Sequence, residues 1–357
     1  MGELTGGRMG SETRSPREDT MTDLTQLTQA QSNRGQDDAK PAAMAGNVAR
    51  TVKEAVTNRL DPLVEIYAQL FAHGVRTPVL RRPSDRGMAY EDVFFPAIDG
   101  VTLEGWFIPA EGSDKLLVVN HPMTCNRYGF PGHLAPWNTM FGGFEVDFLP
   151  ELQALHEAGY NILAYDLRNH GRSGADPAGT SGLGLVEARD VVGSVRYARS
   201  RWPEMTIGLW SRCMGGNSTI VAMDLYPEEF TDVRALGLLN VVSGRAFIEK
   251  GAELAHMDPA KAAERLDVRL RELTGFRLDE ETPRTHAHAV TVPTFMAQLR
   301  RDFLIDAEKD GAEIFGALGA QDKELYWIED SNQRFYAYNY FGDHPERLIA
   351  FFDAHLG

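Results

Sequence analysis

The chain is predicted to be an α/β protein with a mostly parallel central sheet of about eight strands flanked by helices. Three observations lead there. Short apolar runs alternate with amphipathic stretches of about a dozen residues or more, the pattern of βαβ crossovers. The first two strand candidates are separated by Asp99-Gly100, a strong hairpin signal. A length of 357 residues with 43% hydrophobic side chains is enough for one enlarged domain with decorations.

The elements follow in chain order. Residues 1–45 are rich in Gly, Ser, Thr, Gln and charge and poor in aromatics, so they are expected to form a disordered tail, with Met1 or Met21 as the native start. Residues 46–87 are expected to be a helical extension: Val48, Val52, Ala55 and Val56 recur at helix spacing, and Asp61 is placed as N-cap before Pro62. The helix from Leu63 to His73 carries an apolar face (Leu63, Ile66, Tyr67, Leu70, Phe71) that needs a cover from the main domain, a cap or a second copy of the chain. The domain proper spans 88–357, with strand candidates at 90–98, 102–110, 115–121, 160–167, 206–211, 235–242, 293–299 and 323–330. Helices are expected at 147–158, 183–201, 214–226, 306–318 and 345–355. No strand pattern occurs between Ser243 and Ala289, so one or two helices are expected there, as a cap insertion over about 243–290.

Composition excludes several classes of function. With 36 basic against 51 acidic residues, the formal charge of −15 repels nucleic acid and anionic membranes. Two cysteines cannot build a disulfide framework. Neither a signal-peptide core nor a run of about 18 apolar residues occurs, so a cytoplasmic location and a small-molecule substrate are expected. No cofactor is expected. His286 and His288 have no carboxylate or cysteine beside them in the sequence and are assigned to a loop, so no metal is expected either.

The chemistry is expected at "SRCMGG", residues 211–216, where a strand candidate meets a helix candidate. A nucleophile on a sharp strand-to-helix turn needs small residues two before and two after it. Ser211 as nucleophile would put Leu209 and Cys213 there, and the leucine would crowd the turn; Cys213 puts Ser211 and Gly215 there, with Gly216 next. The frame selects Cys213.

Here the chain resembles the α/β-hydrolase superfamily, over roughly residues 88 to 357. "SRCMGG" is similar to its elbow in the dienelactone-hydrolase-like form with a cysteine nucleophile, "YDLRNHGRSG" (165–174) to the segment after the fourth strand, and "NHPM" (120–123) to the turn after the third, with Pro122 in place of glycine. The antiparallel hairpin before a parallel series is the opening of the α/β-hydrolase fold. The resemblance implies a triad in the order Cys213, Asp302, His344, with Asp306 as the fallback acid. It also implies an oxyanion hole made by the backbone N–H groups of Met214 and Met123, since Pro122 has none. His121 is expected to shape that turn, His170 to hydrogen-bond within its own turn, and His355 to favour the last turn of a helix.

A cysteine in such a triad points to acyl transfer through a thioester. A thiolate leaves a tetrahedral intermediate more readily than an alkoxide, so productive substrates have good leaving groups: enol esters, lactones, aryl esters, thioesters. The function expected first is hydrolysis of such an ester, lactone or thioester. The alternatives are a hydrolase-fold lyase or acyltransferase of secondary metabolism and a non-catalytic ligand-binding relative. Arg212 is placed to assist the thiol if it turns toward the site, and Cys125 is read first as an unpaired loop thiol and otherwise as facing Cys213 across the site. Of the aromatic cluster before His344, Tyr336, Tyr338 and Tyr340 are expected to wall a substrate pocket, with core packing the other reading. The N-terminal helices are the expected surface for any homo-oligomer.

Overall fold

The computed structural model describes residues 60–139 and 142–357; the expected tail and the helix expected before residue 60 lie outside the described residues. The strands are β1 (Glu91–Pro96), β2 (Thr102–Ile108), β3 (Lys115–Asn120), β4 (Gly129–Phe130), β5 (Val146–Asp147), β6 (Asn161–Tyr165), β7 (Thr206–Arg212), β8 (Val233–Leu239), β9 (Thr294–Leu299) and β10 (Lys323–Ile328). The helices are α1 (60–72), α2 (Leu149–Glu157), α3 (Ala188–Arg201), α4 (Met214–Leu225), α5 (Gly244–Leu254), α6 (Pro259–Thr274), α7 (Ala307–Ala317), α8 (Arg334–Ala337), α9 (Tyr340–Asp343) and α10 (Glu346–Leu356).

Eight strands form one sheet in the order β1-β2-β6-β3-β7-β8-β9-β10. β1 and β2 make the antiparallel hairpin and β2 runs antiparallel to β6; from β6 onward every pairing is parallel. The inner strands β6 and β9 are buried at every residue because helices cover both faces, whereas β1 at the edge alternates. All eight expected strands and the five expected main helices are present at their expected places. The short β4–β5 pair was not expected. Nor were α8 and α9, which occupy what the sequence suggested was a loop.

The segment after β6 anchors the sheet's C-terminal edge. Arg168, fully buried, donates to Asp99, Asp176 and Asp190. Asp166 accepts from the backbone N–H groups of Arg127 (2.7 Å) and Arg172 (2.8 Å). Gly171, at φ +44°, is required here, because a Cβ would lie 2.1 Å from the Asp166 carboxylate.

Between β8 and β9, α5 and α6 lie over the described face of α1. Phe247 of α5 packs on Phe71 at 5.9 Å and Tyr67 at 6.5 Å, and Arg269 of α6 pairs with Glu65 at 2.8 Å. The apolar face of α1 is thus covered within the chain. Residue 60 is already helical, so Asp61 is inside the helix and not its N-cap; its carboxylate pairs with Arg265 instead.

Candidate active site

Cys213 sits between β7 and α4 at φ 48°, ψ −115°, a conformation that costs a non-glycine residue about 1–3 kcal/mol. Its neighbours permit this strain. A Cβ on Gly215 would lie 2.7 Å from the His121 carbonyl oxygen, and one on Gly216 2.4 Å from Val241, so only glycine lets α4 approach β3 and β8 this closely. Ser211 is a spacer: its hydroxyl accepts from Asn120 and contacts Thr219, both at 2.8 Å. Met214 is the first helical residue of α4, so its N–H has no carbonyl behind it in the helix and points with the helix N-terminus toward the turn.

The sulfur is held by an unexpected partner. Arg334, at the start of α8, places Nη2 3.7 Å from Cys213 Sγ and Nη1 2.5 Å from Asp302 Oδ2. The same guanidinium donates to the Asn240 carbonyl and, through Nε, to the Tyr338 hydroxyl at 3.2 Å. Tyr338 hydrogen-bonds the thiol in turn. The ring of Phe247 lies 5.4 Å from the guanidinium and closes the site from the α5 side. Burial opposes the charge on Arg334, yet Tyr338, Asp302 and Cys213 together hold its pKa well above the ordinary value. Burial raises the Asp302 carboxyl, and the Arg334 cation opposes that rise. A cleft lined by Lys250, Leu254, Arg301, Asp302, Phe303 and Asn332 lies nearby, while the Asp302 carboxylate itself is unexposed. Cys213 is only 6% exposed.

No family model matches the chain. Its structure is similar to an esterase of Pyrococcus furiosus, with a TM-score of 0.61 at 21% identity over 80% of this chain and 98% of that one. The chain has the α/β-hydrolase fold. It is also similar to the α/β hydrolase GrgF of Penicillium sp., with a TM-score of 0.51 at 17% identity over 75% of this chain and 99% of that one. In sequence, a polyketide transferase of Penicillium sp. is 28% identical over 137 residues, which are 37% of this chain and only 39% of the relative.

The hydrolase fold brings some of the expected residues together and separates others. Cys213 and Asp302 meet, through Arg334. His344 does not join them: it is exposed, with its ring 4.7 Å from that of Tyr340. The Asp302 oxygens are engaged by other groups, Oδ1 accepting the Leu304 N–H at 2.9 Å and Oδ2 accepting from Arg334. The chain turns back into the site at Arg334, and His344 follows on the outside, just before α10. Asp306 is not an alternative acid but the N-cap of α7, accepting from Lys309 N–H at 3.1 Å.

Of the three tyrosines only Tyr338 reaches the site. Tyr336 is 48% exposed, and the Tyr340 hydroxyl bonds Tyr326 at 2.6 Å. Arg212 turns away to Glu151 and stacks on Phe148 at 4.3 Å. Cys125 is fully buried, and burial first, then the nearby Cys213, push its thiol well above the ordinary value. Asp224 meets His286 at 2.6 Å and His288 at 3.5 Å, a carboxylate that 62 residues of separation hid from the sequence. His355 lies 3.7 Å from Asp322.

What sequence reasoning missed was Arg334. One signal was available: in "NQRFYAYNYF" it is the single formal charge in an aromatic run, so burying the run carries the charge inward, where it needs a carboxylate.

Proposed function

We propose that this protein is a hydrolase-fold acyl-transfer enzyme in which Cys213 takes an acyl group from an activated ester, lactone or thioester and passes it to an acceptor. The observation that carries this reading is Arg334, which occupies the place between acid and nucleophile where a triad holds its base. A guanidinium cannot accept a proton. As a fixed cation it stabilises the negative charge that collects on the neighbouring sulfur when the acyl group leaves it. Release to water is a different matter, because a neutral water attacks a thioester slowly without a base. The backbone N–H groups of Met214 and Met123 are suited to hold the developing oxyanion. The name of the polyketide transferase that this chain partly resembles supports transfer over hydrolysis, while the esterase likeness concerns the fold.

The test is incubation with p-nitrophenyl acetate followed by intact mass spectrometry. The expected result is one acetyl adduct that is absent in Cys213→Ala, persists in water and is discharged by an added acceptor. Arg334→His, which supplies an imidazole against Asp302, is expected to shorten the adduct's life in water. No adduct on the wild-type chain overturns the proposal in favour of a ligand-binding role. Release to water as fast as release to an acceptor replaces it with plain hydrolysis.

A further inference from the structure

An arginine between acid and sulfur leaves one step of acylation without an agent. The Cys213 thiol must lose its proton as the sulfur is acylated, and a guanidinium cannot accept it. Asp302 already accepts from Leu304 and Arg334 through its two oxygens, and His344 is exposed against Tyr340. Cys125 is fully buried, and burial pushes its thiol well above the ordinary value, so it stays protonated and takes nothing. The remaining polar side chain that meets the sulfur among the described residues is Tyr338.

Tyr338 closes the turn of α8 four residues after Arg334, the spacing that puts two side chains on one helical face. Its ring packs on Phe335 at 5.5 Å, and the residue is only 2% exposed. Arg334 Nε donates to the Tyr338 hydroxyl at 3.2 Å while Nη2 lies 3.7 Å from Cys213 Sγ. Nε and Nη2 are neighbouring nitrogens of one planar guanidinium, so the phenol oxygen and the sulfur are held side by side. A phenol carries one proton and two lone pairs. The bond from Nε uses one lone pair, which leaves the proton and the second lone pair for exchange with sulfur and with whatever sulfur is attacking. Burial pushes the Tyr338 phenol well above its ordinary value, Arg334 opposes the rise, and the nearby thiols add to it. The hydroxyl is therefore neutral at pH 7 and gives up its proton only against a replacement.

We infer that Tyr338 is a catalytic proton relay of acylation, its oxygen taking the thiol proton while its own proton passes to the leaving group of the acyl donor. This rests on the acyl-transfer reading above. The S–C bond forms, and the bond from the acyl carbon to the leaving oxygen or sulfur breaks with its electron pair going to that atom. The leaving atom receives the phenol proton, and the thiol proton restores the phenol. Thiol and acyl donor thus give a thioester and a neutral alcohol or thiol, and Tyr338 ends as it began. Covalent geometry supplies the reach: in the tetrahedral intermediate the leaving atom and Sγ are bonded to one carbon, no farther apart than two hydrogen-bonded atoms, so a hydroxyl on the sulfur is also beside the leaving atom. Arg334, donating to the same oxygen, holds the negative charge that gathers there when the phenol proton moves first. Run backward, the relay returns an acceptor's proton to sulfur as the C–S bond breaks. A proton that moves only as sulfur takes it does not make water a better nucleophile, so the adduct still persists in water.

The test uses Tyr338→Phe, which keeps the ring against Phe335 and removes the hydroxyl, with two donors of one acyl group. p-Nitrophenyl acetate and phenyl acetate both leave an acetyl on Cys213, and they differ in how far the departing oxygen needs a proton. Adduct formation is followed by intact mass spectrometry at pH 7. With phenyl acetate the variant is expected to react about a hundredfold more slowly than the wild type, and with p-nitrophenyl acetate about tenfold more slowly at most. The preference for the better leaving group therefore widens about tenfold or more. An equal loss with both donors marks a structural role and overturns the inference, as do unchanged rates or a wild-type chain that reacts with p-nitrophenyl acetate alone. No wild-type adduct from p-nitrophenyl acetate, or its rapid loss in water alone, overturns instead the reading on which the inference rests. If the variant does not fold, the wild type is compared with N-acetylcysteine, a thiol without a relay. The wild-type preference between the two donors is expected to be about tenfold or more smaller than that of the free thiol; equal preferences overturn the inference.

Discussion

Arg168 and Arg334 are both fully buried, and the difference between their partners separates scaffold from site. Arg168 faces three carboxylates, Asp99, Asp176 and Asp190, and nothing reactive. Arg334 faces one carboxylate, a carbonyl, a phenol and a thiol. The first cation is over-compensated and pins the loop after β6 to the hairpin and to α3. The second pairs with Asp302 alone among the described residues, with Asp310 at longer range, and its field also acts on sulfur. A buried charge left incompletely matched by carboxylates is where chemistry is expected, because the protein stabilises that charge at a cost that packing alone does not repay.

Four measurements break or sharpen this comparison. Arg168→Met strands Asp176 and Asp190, while Asp99 keeps Arg189 at 3.2 Å, and is expected to cost about 3–5 kcal/mol in urea denaturation. A loss below 1 kcal/mol would show that the loop is held by other means. Arg334→Met is expected to slow alkylation of Cys213 by iodoacetamide about tenfold or more at pH 7, because it removes a cation at the sulfur, with Arg334→Lys recovering part of the rate. An unchanged rate in Arg334→Met would remove the arginine from the chemistry.

Glu281 extends the contrast to a buried carboxyl that pairs with no cation among the described residues. Both its side-chain oxygens lack a hydrogen-bond partner among the described residues, and burial first, then Glu187, push its pKa well above the ordinary 4.5. The folded state therefore favours the protonated acid: stability from this group is complete below the unfolded value near 4.5 and is lost as pH rises toward the folded value. Glu281→Gln is expected to match the wild type at pH 4 and to be more stable at pH 8, by about 1–3 kcal/mol in urea denaturation. A gain independent of pH would mean that the carboxyl is not kept neutral. The smallest effect is expected at His344→Ala: alkylation and adduct formation unchanged, and stability within about 0.5 kcal/mol. A large loss of activity there would return the triad to the histidine.

The sheet was legible because its signals are local. Eight apolar runs, the Asp99-Gly100 turn and the amphipathic stretches between them each determine their own element, and parallel pairing follows from the crossovers. The elbow was legible for the same reason, since the steric demand on residues 211, 215 and 216 lies within six residues of chain. Asp302 was placed near Cys213 by its position after a strand end. Arg334 was not, because a side chain's arrival at a site depends on how a connection folds, and "QRFYAYNYF" folds into two short helices that direct Arg334 inward and leave His344 outside. Order along the chain could rank the histidine as a candidate but could not place its ring.

The sequence by itself determined the α/β architecture and the strained turn that carries Cys213, because backbone sterics and hydrophobic periodicity act over a few residues. Only the tertiary structure decided what stands beside the sulfur. Arg334 and Asp302 are 32 residues apart and Arg334 and Cys213 are 121 apart. Their meeting is a property of the closed core, in which a buried cation settles where a carboxylate, a carbonyl and a thiol can share it.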